Sequence, residues 1–302
     1  MDGFIDISLN ALASAMFVAM AVSAMFVMLV RTWDLAGKLF GRRSPFSGHI
    51  LYEAGHPLRI GLTQLNASCS TGLAALVFFL LAFVAALLLR RDGWMDFAHR
   101  WLQILFCLLL ASALAYFVYR LATLARLRRR LVFARDAHIA VGHGLQRTLG
   151  DANRIFHHVS GGSLARESID HVVVGPSGVY AIQVVVRRPG RGESDEPGVT
   201  IQGNELHFGK SDETVSIAGL SARRKLLSRD LSRIAEQPLR IRSVIALPGW
   251  QIREQNSDSH LLVNENLLAM IRGWSDPQEY LMNDQVAAIS KFLAERCTNL
   301  RP

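Results

Sequence analysis

In the stretch "SIDHVVVGPSGVYAIQVVVRR", beginning at Ser168, a single acid, Asp170, stands among apolar residues. Pro176 and Gly178 suit a tight turn, so Ile169–Val174 and Val179–Val186 read as an antiparallel hairpin. If Gly175 and Gly178 face one another, Asp170 lies opposite Gln183, and a bulge at Gly178 would slip this by about one residue. Strand alternation places Val185 and Arg187 on the face of Gln183, and His171 on the face away from Asp170. A carboxylate in such surroundings is costly unless it is paired, solvated or bound to a metal. Arg187 could bring a cation to this face and Glu167 a second carboxylate.

Other candidates are weaker. His157 and His158 precede "VSGGS", but a His–Ser hydrolytic arrangement needs a third member that nothing identifies, so they read as a strand end. His49, Glu53 and His56 have loose spacing for a metal site and read as solvated. Arg223, Arg224 and Lys225 could touch phosphate, but on an amphipathic helix they read as a solvated face. Cys69, Cys107 and Cys297 form no Cys-x-x-Cys pair, which leaves no support for a disulfide framework or zinc ribbon.

The elements that would position the hairpin follow from changes of period. "AHIAVGHGLQRTLG" has helical spacing and a stop at Gly150. Short β-rich runs come next: "RIFHHV", "SIDHVVVG", "VYAIQVVV", "GVTIQG", "ELHF" and "TVSIA". The segment "RRPGRGESDEPG" between the third and fourth runs reads as a flexible loop. "ARRKLLSRDLSRIAEQ" is an amphipathic helix with Leu227, Leu231 and Ile234 on one face. "RIRSVIALPGW" and "HLLVN" add strands, and "DQVAAISKFLAERC" a closing helix. A helix, a meander, a crossover helix and a further strand predict an α/β domain over residues 131–302.

Residues 1–130 are different in kind. Hydrophobic residues make up 50% of the 302-residue chain, and the excess lies in three uncharged runs, at about 9–30, 72–90 and 101–120. Each approaches the ~20 residues that cross a bilayer. The first lacks the positive flank of a signal peptide and reads as a retained span. Residues 31–71 read as a partly ordered connection. Residues 1–130 hold 13 Lys and Arg against 6 Asp and Glu, and the remainder 20 against 19, so the net +8 belongs almost wholly to the membrane half. The basic residues follow the first and third runs. By the positive-inside rule this predicts a multi-pass protein of a plasma (inner) membrane, N-terminus out and C-terminal domain in the cytoplasm. The charge is therefore explained at the lipid surface without nucleic acid.

The hairpin also resembles the core of the NERD, or nuclease-related, domain, a branch of the PD-(D/E)xK nuclease-like superfamily. There an Asp precedes a "HVVVGPxG" turn and the next strand carries Glu-x-Lys. "AVGHGLQRTL" is similar to the family's opening helix, and "VIALPGW" and "LVNENL" to later segments of membrane-attached members, so the likeness covers about residues 135–270. It implies a restriction-endonuclease-like α/β domain behind three membrane helices. It also implies a Mg²⁺ site of Asp and Glu carboxylates with a Lys that activates water. Carried over, the Asp is Asp170, the Glu falls on Gln183, the Lys on Val185 and the helix acid on His143. Gln183 could ligate weakly, Val185 supplies neither charge nor proton transfer, and Arg187 is a poor base. Asp170 is the one metal ligand retained.

The resulting expectation is a non-catalytic binding or scaffolding module with a degenerate nuclease-like site. Its partners would be the bilayer and an unidentified protein, and no cofactor is expected. The alternative is a membrane-anchored, Mg²⁺-dependent nuclease acting on DNA or RNA.

Overall fold

A computed structural model describes residues 53–90, 97–150, 152–160, 164, 167–187, 198–209, 214–254, 259–274 and 280–297. The expected span at 9–30 and most of the loop "RRPGRGESDEPG" lie outside these residues. The chain divides into two compact units, one holding residues 61–130 and the other residues 53–60 with everything from Leu131 onward.

The described part of the first unit comes from two helices, residues 61–90 of α1 (His56–Arg90) and 97–130 of α2 (Phe97–Leu149). Within it Gly72 permits a close approach of the two, since a Cβ there would lie 3.2 Å from Cδ2 of Leu121. Asn66 Oδ1 accepts a hydrogen bond from Arg128 Nε at 2.9 Å. Leu105, Leu108, Leu109, Tyr116 and Tyr119 of α2 are exposed, with 56–68% of their surface open. Among the described residues, α2 is the one helix long and apolar enough to cross a membrane. Its 53 residues rise through roughly 80 Å at about 1.5 Å each, well beyond a ~30 Å hydrocarbon layer.

The sequence reading of 31–71 as a loose connection needs correction from His56 on. Pro57 is tolerated in the first turn of α1, where its missing N–H costs nothing, and Leu62 and Leu65 are buried at helical spacing. The separate helix expected around residues 137–149 is likewise the end of α2, which Gly150 stops at φ +67°.

The second unit holds two sheets. The larger follows the order β1 (Arg154–Ser160), β2 (Ser168–Gly175), β3 (Gly178–Val184), β7 (Ile241–Ala246), β9 (His260–Val263). The first three strands form an antiparallel meander, whereas β7 is parallel to β3, and β9 to β7. Val141, Leu145 and Leu149 of α2 pack on one face, over Val173, Tyr180, Ile182 and Val244. Leu227 and Leu231 of α3 (Ala218–Ala235) cover the other face with Ile289 and Leu293 of α5 (Asn283–Arg296), over Val172, Val174, Val179 and Ala181. A short α4 (Met270–Gly273) precedes α5. The smaller sheet has the order β6 (Thr214–Ser216), β5 (Glu205–Phe208), β4 (Gly198–Gln202), β8 (Gln251–Glu254). Its Val199, Leu206 and Phe208 join Trp250, Ile245 and Leu262 in a third apolar cluster.

Candidate functional site

The β2–β3 hairpin closes through two residues, Pro176 and Ser177, with Gly175 paired to Gly178 and no register slip. Gly178 has φ +116°, which favours glycine. The turn is tied down from two sides: Arg242 Nη1 donates to Ser177 O at 2.9 Å, and Leu281 N–H to Pro176 O at 2.9 Å. The ladder runs inward as far as His171↔Ile182.

There the Asp170 side chain takes over from the backbone. Its Oδ2 accepts Val184 N–H at 2.8 Å and Gln183 Nε2–H at 2.5 Å. The expected facing of Asp170 and Gln183 is therefore present as a direct side-chain bond. The opposite end of the same amide, Gln183 Oε1, is buried and has no hydrogen-bond partner among the described residues. Burial raises the Asp170 carboxyl to about 6; the Val184 hydrogen bond, the charges of Arg223 and His158, and the Gln183 hydrogen bond all oppose that rise.

Sequence reasoning named Arg223 and His158, as a solvated face and a strand end, but placed neither beside Asp170. Arg223 comes from α3, and its Nε lies 3.8 Å from Glu167 Oε2. Its position between the buried Leu220 and Leu227 was a usable signal, because residues three and four apart share a helix face. His158 has a positive φ of 54° and, with Asp170, occupies the position between His157↔His171 and Val159↔Ile169 at which the β1–β2 register has no pair. A twist of that kind leaves no clear trace in sequence.

The remaining predicted residues go elsewhere. Val185 packs against the third apolar cluster. The Arg187 guanidinium stacks 4.9 Å from the Phe208 ring centroid, and its carbonyl accepts Trp250 Nε1–H at 3.0 Å. Arg187 is thus engaged by the smaller sheet, and Arg223 is the cation whose charge acts on Asp170. His143 is exposed on α2, and its charge bears on His157.

The opposite face of β2 carries a histidine seam. His157 and His171 approach through their Nδ1 atoms at 2.7 Å, so one ring must donate to the other. His138 of α2 has its ring 6.0 Å from that of His171. Gly142 makes this packing feasible, as a Cβ there would meet Ala54 Cβ at 2.7 Å and His157 Cε1 at 3.4 Å. His171 Nε2 is buried without a hydrogen-bond partner among the described residues. Burial, with the neighbouring His157 and His138, holds His171 well below the ordinary histidine range, and burial and His143 hold His157 down.

The Asp170 side fits a divalent metal poorly. Mg²⁺ wants several hard oxygen ligands, and here one carboxylate oxygen already accepts two hydrogen bonds, one amide oxygen adjoins it, and Arg223 contributes positive charge. Among the described residues no group of three or more His, Cys, Asp or Glu side chains is arranged to hold a metal ion. What the arrangement can do is present a half-buried carboxyl, raised to about 6, that feels the charge of Arg223. No protein-family model, curated protein or solved structure matches the chain.

Proposed function

We propose that this chain is a membrane-anchored protein whose C-terminal part is a NERD-like domain of restriction-endonuclease-like fold, acting as a non-catalytic binding or scaffolding module. The observation that carries the reading is the fate of the motif positions around Asp170. The carboxylate is held by an amide, Gln183, where the resemblance asks for a second acid. The position that should bear Lys is Val185, packed in an apolar cluster. The larger sheet supports the fold: a helix and a three-stranded meander are followed, after β4–β6 and α3, by a further strand parallel to β3. The anchor has three spans, at about 9–30, 72–90 and 101–120, with the C-terminal domain on the cytoplasmic side of a plasma (inner) membrane. Its partners are the bilayer and a protein.

The test uses the full chain in detergent micelles with plasmid DNA and RNA, in the presence of Mg²⁺ or Mn²⁺. Neither substrate should be cut. Cleavage that is lost in Asp170→Ala would overturn the reading in favour of a nuclease with Arg223 as relocated cation. In the Gln183→Glu, Val185→Lys double variant, metal-dependent cleavage would show a scaffold still suited to the ancestral chemistry. Protease digestion of the C-terminal domain in inverted but not right-side-out vesicles checks the orientation.

A further inference from the structure

Helix α2 carries three chemistries in order along one face. Its Leu121 approaches Gly72 of α1, and its Arg128 donates to Asn66, so these residues mark the side turned toward α1. At about 3.6 residues per turn, Leu105, Tyr119, Arg126 and Arg130 each lie about 160° around the axis from that side. All four are exposed. From its N-terminal end this outer face therefore runs from leucine through tyrosine to arginine, the order of acyl chain, interface and phosphate in one lipid leaflet.

The described residues of this unit, 61–90 and 97–130, hold seven arginines and no Asp or Glu. Five of the seven fall between 120 and 130. Arg120 shows which way such side chains reach: its Nη1 donates to Tyr116 OH at 3.4 Å, one turn back toward the apolar stretch. Side chains on a helix lean toward its N-terminus, so Arg126 and Arg130 are inclined the same way. Long basic side chains also bend to keep their charge at headgroup level. Along the axis Arg126 and Arg130 stand about 10 and 16 Å beyond Tyr119. The headgroup layer is about 5–7 Å deep and the Debye length about 8 Å, which brings both charges within reach of its phosphates.

We propose that this outer face of α2 binds the headgroup of an anionic phospholipid, with Arg126 on the phosphodiester, Arg130 adding attraction from above and Tyr119 at the interface beneath. A zwitterionic headgroup brings its own cation to the phosphate and competes with the arginines, whereas an anionic one does not. Each cation near an anionic surface strengthens the attraction by about 5-fold. Nucleic acid is the poorer match, because the arginines continue an apolar face that lipid tails cover and a duplex does not. The inference rests on the reading of α2 as a membrane span, and adds to its orientation a preference among lipids. No substitution used to test it touches Asp170 or Gln183.

The test is native mass spectrometry of the full chain in detergent micelles, titrated with phosphatidylglycerol, cardiolipin and phosphatidylcholine. At least one anionic lipid should be retained about 5-fold or more over phosphatidylcholine, and the tighter of the two identifies the headgroup. Arg126 and Arg130 are both exposed, so the Arg126→Gln, Arg130→Gln double variant should keep the wild-type circular dichroism while losing most of that preference. Arg147→Gln, at an exposed site further along α2, should keep both. Alkaline extraction from phosphatidylcholine vesicles separates the two premises. A chain stripped from the vesicles overturns the membrane reading and the proposal with it. For a chain that stays, equal retention of all three lipids, an unchanged preference in the double variant, or its loss in Arg147→Gln overturns the headgroup site alone. Displacement of the bound lipid by a short DNA duplex would overturn it in favour of nucleic acid.

Discussion

Residues 170 and 171 are neighbours in sequence and opposites in setting. Asp170 sits on the α3 side of the sheet, at the point where β2 and β3 stop pairing, and its carboxyl replaces a missing backbone acceptor. His171 sits on the α2 side, deep in the ladder, fully buried against His157. Burial acts on both but with opposite sign, because it disfavours a carboxylate in one case and an imidazolium in the other. The Asp170 proton affinity rises and that of His171 falls. One strand thus carries two titratable groups, one half-buried and one fully buried, that respond to acid in contrary ways. The difference also separates roles: Asp170 has charged neighbours and partial access to water, while the histidines form a seam between a helix and a sheet.

The largest way to break this contrast is His171→Ala. It leaves a cavity and an unpaired His157 Nδ1, and should destabilise the domain by about 3 kcal/mol, measured by chemical denaturation at pH 8. The pH dependence should change with it. The native pKa values of His157 and His171 are depressed, so the unfolded chain binds protons first as pH falls below the ordinary value of 6.5. Their share of stability is therefore complete above that value and lost as pH drops below it. The variant should show a flatter acid limb.

Asp170→Ala comes next, at about 2 kcal/mol, since Val184 N–H and Gln183 Nε2 lose their acceptor. Asp170→Asn sharpens the comparison more. The native carboxyl titrates near 6 against 3.8 for the free group. Its favourable share is then full below 3.8 and lost as pH rises through about 6. Without it, stability should fall more steeply than in the native chain as pH is lowered from 6 to 4. The same slope in both would refute a raised Asp170 pKa. Arg223→Ala should have the smallest effect, under ~1 kcal/mol, because Glu167 is 58% exposed and water screens the pair. Its signature is an upward move of the Asp170 titration, followed by ¹³C NMR of the carboxyl carbon.

Much of the hairpin was legible before the structure. A two-residue turn and a period of two leave one register, which put Asp170 against Gln183 and His171 on the other face. The strands of the meander and the closing helix were equally plain, because their apolar runs are bounded by turn residues. β8 was not, as "QIRE" has no apolar run and becomes a strand only by pairing with β4. The division into two sheets was hidden for the same reason, being a matter of long-range partners. Arg187 was assigned to the Asp170 face by alternation, but β3 ends at Val184, and beyond that residue the alternation no longer applies. Arg223 was concealed inside a charge run that resembles solvent-facing surface.

The parallel pairing of β3 with β7 has a kinetic meaning. Gly175 meets Gly178 across two residues, whereas Val179 and Ile241 are 62 positions apart. Closing the longer loop costs more chain entropy, and contacts that are remote in sequence form late and slowly. The meander should therefore collapse early, with Asp170 already beside Gln183, while the parallel strands β7 and β9 are added later. Nascent chains would hold the Asp170–Gln183 contact before the parallel half of the sheet exists.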